Sequence, residues 1–249
     1  MYYNLLLKFF LILLIIFFLS SCSNSYIWGW YVLDPTIEQG KSNLDFLLSG
    51  LGLTVSISLI SIFFSLIIGF FIAVPGLSKN KFGRSINIIY IQFFRAVPLL
   101  VLLLWVYYGL PIVFNINIGA FIAGIISLSL SDSAFEAEIF RAGLQSVEKG
   151  QKDAAKSIGL NKFQEIRLIV LPQAIRIILP AIGNQFIYVL KMSSLVSIIG
   201  LADLTRKANE LVVSVYRPLE IYTFLVFEYL ILILVISFFL RKLEKKLKY

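Results

Sequence analysis

Three charged residues lie within predominantly apolar segments, where a charge needs a partner or a pathway. They are Lys191, Glu228 and Glu138. If these segments lie in lipid, each charge costs about 2.5–3.5 kcal/mol at the bilayer centre on insertion scales. Residues of this kind usually pair or line a solute path, so we predict one of these roles for all three rather than snorkelling to the surface.

Three further polar residues are candidates for the same path. Arg95 lies near the end of its apolar segment, so snorkelling and a pathway role are equally consistent with its position. Asn184 and Gln185 could bond a passing solute, or they could bond one helix to another.

Lys191 and Glu228 also occupy matched depths in two helices predicted to be antiparallel neighbours. Lys191 is about 13 residues into one helix and Glu228 about 12 residues from the matching end of the other, counted at about 1.5 Å per residue. We therefore expect the two charges to approach each other or to share one polar cavity. Alternatively, Lys191 serves Glu138 or a substrate carboxylate.

A second group of residues lies in a polar loop and has the spacing of a docking element. Residues 151–158 predict a short helix that ends at Gly159, because glycine tolerates left-handed backbone geometry. Asn161 is then a natural cap for a second helix. The small side chains would let the first helix seat closely against a partner, and a carboxylate could accept charge-assisted hydrogen bonds there. The set comprises Asp153, Ala154, Ala155, Gly159, Ile169, Leu171 and Pro172.

Other kinds of chemistry have little support in the sequence. The chain has no histidine and one cysteine, Cys22, which argues against a zinc site, a disulfide framework or a histidine base. No Gly-rich phosphate-binding motif is present, so we expect no cofactor, no metal and no enzymatic activity in this chain. The net charge of +8 does not indicate nucleic-acid binding, because the basic residues cluster beside the apolar runs.

The elements that carry these residues are predicted to be membrane-spanning helices. Hydrophobic residues make up 59% of the 249 positions and charged residues only 14%, and the mean hydropathy is +0.90. No charge occurs from 46 to 78 or from 96 to 131. Continuous apolar runs of this length read as helices, which need about 20 residues to span a bilayer, and not as alternating barrel strands.

Five core helices are expected, near residues 48–75, 87–110, 117–140, 178–201 and 218–240. Residues 1–22 form a signal-like or extra spanning segment that ends in a lipobox-like sequence, with Cys22 as a lipidation candidate. The remaining domain expectations are an external connector at 23–47, a transmembrane domain at 48–240 that includes a loop at 141–178, and a basic tail at 241–249.

Loop charges predict the orientation of these helices. Lysine and arginine are concentrated after the first core helix, in the loop at 141–178 and in the tail, while the opposite loops hold few of them. The positive-inside rule therefore predicts a cytoplasmic C-terminus, a cytoplasmic loop at 141–178 and an external connector.

The loop pattern closely resembles the cytoplasmic EAA motif of ABC importer permeases, with Asp153 in place of the usual Glu. Other stretches resemble the polar amino-acid type of this family, although Met192, Phe135 and Ala96-Val97 depart from its usual residues. The similar stretches are 94–100 (Phe-Arg-Ala-Val-Pro-Leu-Leu), 137–141 (Ala-Glu-Ile-Phe-Arg), 180–186 (Pro-Ala-Ile-Gly-Asn-Gln-Phe) and 193–197 (Ser-Ser-Leu-Val-Ser).

This resemblance implies an all-α integral membrane protein of ABC type-1 (MetI-like) permease architecture, with five core helices plus the N-terminal hydrophobic segment. It implies a location in the bacterial inner membrane and import of amino acids, polar or charged ones, by alternating access. It also implies as partners two ATPase subunits, a second permease and an external solute-binding protein. The docking role of the set from Asp153 to Pro172 rests on it too. The alternatives are a permease for another small organic solute and a secondary transporter that needs no ATPase.

Overall fold

The computed structural model describes residues 26–78 and 80–247, with side chains to 245, and every regular element in these ranges is helical. Four helices are long and apolar enough to span a membrane, and a bent pair brings the number of spans to five. The predicted all-α fold with five core helices is therefore confirmed. The expectations for residues 1–22, including the lipidation of Cys22, lie outside the described residues.

The first span begins earlier than the sequence predicts. It runs over Glu38–Gly76 and consists of α1 (Glu38–Leu48) and α2 (Leu51–Gly76). On α2, small residues recur at every fourth position, at 61, 65, 69 and 73, and all four are buried. Small side chains at this spacing allow two helix backbones to approach closely. This face of α2 packs against α5 (Ala120–Gln145), which lies at the centre of the bundle.

The predicted helix at 87–110 is wrong as a single element. The structure divides it into α3 (Lys81–Ala96) and α4 (Leu99–Phe114), which meet at an angle of 96°. The break has a local cause at Val97-Pro98. Proline lacks a backbone N–H and disfavours helical geometry at the preceding residue, and Val97 accordingly has an extended ψ of 122°.

The loop at 141–178 is structured throughout. It contains the end of α5, the short helix α6 (Lys149–Ser157), a helical turn at Lys162–Gln164 and a π-helical segment at Glu165–Val170. Gly159 has a φ of +81°, and Asn161 forms a capping box with Gln164. Both the predicted left-handed glycine and the predicted cap are confirmed.

The fourth and fifth spans complete the bundle. Helix α7 (Leu171–Met192) continues as a 3-10 helix at Ser193–Ile199, so the α-helix ends earlier than the predicted 201. A short helix, α8 (Leu204–Val215), connects it to α9 (Pro218–Leu247). Helix α9 contacts α7 and α8 and leaves most of its apolar surface uncovered by the rest of the chain.

Candidate functional site

A large cavity lies between the end of α2, helix α3 and the second half of α5. Its volume is about 980 Å³. Helix α3 supplies one wall with residues three or four positions apart, which places them on one helical face. These residues are Arg84, Asn87, Ile88, Ile91, Gln92 and Arg95; α5 faces them with Glu138, Arg141 and Gln145.

An ion pair joins the two walls of this cavity. Arg95 Nη1 lies 2.5 Å from Glu138 Oε2, and the two side chains remain 44% and 38% exposed. The Arg95 guanidinium also lies over the ring of Phe135, 5.2 Å from its centroid. Phe135 in turn contacts Tyr188 of α7, with ring centroids 6.0 Å apart. Two sequence-predicted path residues are thus brought together, in a position that links three helices.

The rest of the cavity wall is cationic. Arg84 and Arg141 line it in addition to the paired Arg95, and Glu138 is the one acid, so the lining carries a formal charge of +2. Arg141 donates to the side chain of Gln145 at 2.9 Å. Low-dielectric walls focus such a field. The cavity can therefore attract a carboxylate group while Glu138 provides a local site for an ammonium group.

A separate polar cluster is buried between α2, α5 and α7. Asp132 accepts hydrogen bonds from the Ser65 hydroxyl and the Gln185 amide, both at 2.5 Å. Gln185 therefore links helix to helix, whereas Asn184 is exposed. One turn further along α5, Glu136 is fully buried, and neither of its carboxylate oxygens has a hydrogen-bond partner among the described residues. Of the residues in this cluster, Gln185 alone is a candidate from the sequence.

Lys191 and Glu228 do not form the expected ion pair. The described residues contain no ion pair between them; Lys191 is exposed, and the buried Glu228 carboxylate has no hydrogen-bond partner there. The physical reason is the register of α7 against α9. Gly183 faces Leu240, since a Cβ at Gly183 would lie 3.3 Å from the Leu240 side chain. The prediction had placed 178 level with 240, an error of five residues or about 7.5 Å.

The docking candidates occupy different environments. Ala154 and Gly159 are exposed, but Ala155 is only 2% exposed because α6 packs against the π-helical segment of its own chain. Asp153 is exposed and lies 3.5 Å from Lys156, an ion pair within one helical turn. Of the small residues, Ala154 and Gly159 therefore remain open to a partner.

The same loop exposes two large apolar residues that the sequence analysis did not single out. Ile158 is 75% exposed and Phe163 is 69% exposed, on either side of Gly159. The sequence does indicate Ile158, because it is a large apolar residue at the end of a polar helix, where only a partner surface would bury it. The remaining candidates lie further along, with Ile169 half-buried and Leu171 and Pro172 exposed at the start of α7.

Within residues 26–78 and 80–247, no group of three or more His, Cys, Asp or Glu side chains is placed to hold a metal ion. The features that are present are a bundle of up to five spans, a polar cavity with a paired Arg and Glu, and a structured loop with exposed apolar residues. They define a multi-pass membrane transport component.

The chain belongs to the family of binding-protein-dependent transport system inner membrane components, whose family model matches residues 65–249. It is therefore a permease subunit of an ABC importer, a multi-pass protein of the inner membrane that works with ATPase and permease subunits. The resemblance inferred from the sequence is confirmed.

Individual relatives agree with this assignment. The glutamine transport system permease protein GlnP of Escherichia coli K12 is 34% identical over 203 residues, which cover 81% of this chain and 93% of the relative. The putative glutamine permease GlnP of Rickettsia prowazekii is 35% identical over 202 residues, with the same coverages.

Solved structures show the same fold. A crystal structure of an amino acid ABC transporter with histidines matches with a TM-score of 0.78 and 39% identity, over 83% of this chain and 96% of that one. An inward-facing structure of the methionine ABC transporter MetNI matches with a TM-score of 0.71 over 83% of this chain and 98% of that one. Its identity of 21% supports the fold alone.

Proposed function

We propose that the chain imports amino acids by alternating access, and that the Arg95–Glu138 ion pair contacts the zwitterionic group of the substrate. The names of the similar permeases and of the similar transporter structure support the substrate class. The single observation that carries the proposal is the position of this ion pair, because it is accessible from a cavity of about 980 Å³.

An α-amino acid matches this pair chemically. Its carboxylate can replace Glu138 as the partner of Arg95, while its ammonium group replaces Arg95 as the partner of Glu138. Charge-assisted hydrogen bonds are exchanged for others of the same kind, so neither charge is left unpaired when the substrate arrives or leaves. Arg84 and Arg141 extend the cationic wall along the cavity and favour a carboxylate there. The other proposed path residues are Asn184, Gln185, Lys191 and Glu228, although Gln185 is engaged with Asp132.

The energy for transport is proposed to come from ATP hydrolysis on a separate subunit. We place the ATPase contact on the exposed part of α6 and the turn after it, with the C-terminus and this loop in the cytoplasm. Ile158 and Phe163 would be covered by the partner, since exposed large apolar side chains on a structured loop are typical of interaction surfaces. Two ATPase subunits, a second permease and an external solute-binding protein complete the proposed complex.

Co-purification tests the docking proposal. Gly159 is exposed and a Cβ there would meet no atom within 4 Å, but its φ of +81° is strained for other residues by roughly 1–2 kcal/mol. We expect Gly159→Asp to reorient the turn and to abolish capture of the ATPase subunit, while the permease stays folded. The matched control is Gly119→Asp at the start of α5, outside the loop at 141–178, where the space is equally open and φ is −69°. Retention of ATPase capture by Gly159→Asp at the level of Gly119→Asp would contradict the docking surface.

A further inference from the structure

A short segment at the start of the described chain is fastened to the beginning of α9. We refer to residues 26–33 as the aromatic strap; they precede the region matched by the family model. The fastening point is Glu220, whose side chain is fully buried. Its carboxylate accepts hydrogen bonds from the Gly29 backbone N–H and the Tyr26 hydroxyl, both at 2.5 Å. Two charge-assisted bonds to one carboxylate hold the strap in a defined position.

Arg217 closes the fastening from the other side. Its guanidinium donates to the Ile27 carbonyl oxygen at 3.0 Å and lies 3.9 Å from Glu220. It also lies over the ring of Tyr31, 5.8 Å from the centroid. Gly29 allows this close approach, because a Cβ here would come within 2.9 Å of the guanidinium carbon and the Arg217 side chain would have to shift. The buried charge of Glu220 is therefore both hydrogen-bonded and faced by a cation.

The end of the strap is also anchored by apolar packing. Val32 and Leu33 are buried in a cluster with Leu47 of α1 and Ile221 of α9. Asn43 of α1 donates to the Val32 carbonyl oxygen at 2.8 Å. The strap is thus fixed to the ends of two spans, one beginning at Glu38 and the other at Pro218.

The opposite side of the strap carries a plate of exposed aromatic rings. Trp28 and Trp30 stack with centroids 5.4 Å apart and planes 6° apart, and Tyr26 meets Trp28 edge-on at 5.6 Å. Trp28 is 52% exposed and Tyr31 58% exposed. A fixed plate of this kind leaves a contiguous apolar surface that something else must cover.

We propose that the aromatic strap is an interfacial anchor that binds the phospholipid headgroup layer at the Pro218 end of α9. Continuity favours lipid as the occupant, because Trp30 and Tyr31 line one surface groove with Phe224 of α9, and Phe227 and Ile231 further along that face are 51% and 60% exposed. Tryptophan and tyrosine are enriched at this depth, since each has an apolar ring and a polar group that reaches the headgroups. Glu220 acts as a positioning residue that sets the depth of the plate.

Depth-dependent fluorescence quenching tests this inference. The full chain with Trp105→Phe retains Trp28 and Trp30 as its two tryptophans and is reconstituted in phosphatidylcholine vesicles. The lipids carry bromine either near the headgroup or deep in the acyl chains. We expect stronger quenching by the shallow bromines than by the deep ones, and little quenching by aqueous acrylamide. Quenching by acrylamide without quenching by bromolipid overturns the proposal, and so does protection from both quenchers, which would indicate a protein partner.

Variants separate the anchor from a general folding effect. Glu220→Gln removes one acceptor and the charge that faces Arg217, so we expect loss of shallow quenching and a gain in acrylamide quenching. Glu210→Gln is the control, because Glu210 forms an exposed ion pair with Arg206 of α8 and not with a residue of the strap. If Glu220→Gln does not fold, single-tryptophan chains made with Trp28→Ser or Trp30→Ser keep the fastening intact. Each remaining tryptophan is expected to report the shallow depth, and a deep or fully aqueous result from both would contradict the proposal.

Discussion

Neutralising the Arg95–Glu138 pair is expected to impair transport far more than stability. The pair spans 2.5 Å, but its side chains are 44% and 38% exposed. Exposed ion pairs contribute about 0.2–1 kcal/mol to folding. Arg95→Gln or Glu138→Gln should therefore lower the Tm by no more than about 4 °C. Loss of a hydrogen bond to a charged substrate group costs about 1.5–3 kcal/mol, which corresponds to a roughly 10- to 150-fold slower uptake at low substrate concentration.

The assay compares thermal unfolding with uptake for the same preparations in proteoliposomes. Arg206–Glu210 on α8 provides a matched control pair, at 2.7 Å and with side chains 41% and 42% exposed. Arg206→Gln should change stability by a similar small amount and leave the uptake rate unchanged. The reasoning is refuted if Arg95→Gln and Arg206→Gln give equal uptake. It is also refuted if the loss of uptake by Arg95→Gln merely follows a loss of folded protein.

Two further predictions concern stability. A Cβ at Gly69 would lie 2.6 Å from the Cβ of Glu136, so the clash in Gly69→Ala should destabilise the α2–α5 contact by about 1–3 kcal/mol. The higher helix propensity of alanine offsets about 1 kcal/mol of this cost. Gly52→Ala, in open space, should show only the stabilising effect of helix propensity when both variants are compared by thermal unfolding. Burial raises the pKa of Asp203, the N-cap of α8, from 3.8 to about 6. The folded state then binds more protons than the unfolded state between these values, so stability contributed by Asp203 is lost as pH rises from about 4 to 6. Asp203→Asn keeps the cap and should remove this part of the pH dependence; an unchanged slope would contradict it.

The sequence was sufficient to predict most of the helices, because each span contains a long apolar stretch. It was not sufficient to predict the break at Pro98, because a proline in a membrane helix is compatible with either a kinked or a broken helix. The register of one helix against another could not be predicted from the sequence either. The contact of Gly183 with Leu240 depends on side-chain packing, and it shifts α7 along α9 from the predicted level.

The sequence marked Arg95 and Glu138 as path candidates, a role that stays a prediction, but it did not mark their pairing. Arg95 and Glu138 were each singled out as charges in apolar segments, yet their approach depends on how α3 crosses α5. Glu220 was missed because it lies at the start of a helix, where an acid is ordinary. Only the folded chain shows that the strap covers it completely.

The most direct test of the account is ATP-driven uptake by the complete complex. The chain is reconstituted in proteoliposomes with its ATPase subunit, ATP is enclosed on the side of the loop at 141–178, and a labelled amino acid with its solute-binding protein is supplied on the other side. We predict accumulation that requires ATP and that disappears with Gly159→Asp but not with Gly119→Asp. Uptake that proceeds equally without ATP or without the ATPase subunit would contradict it and would indicate a secondary transporter.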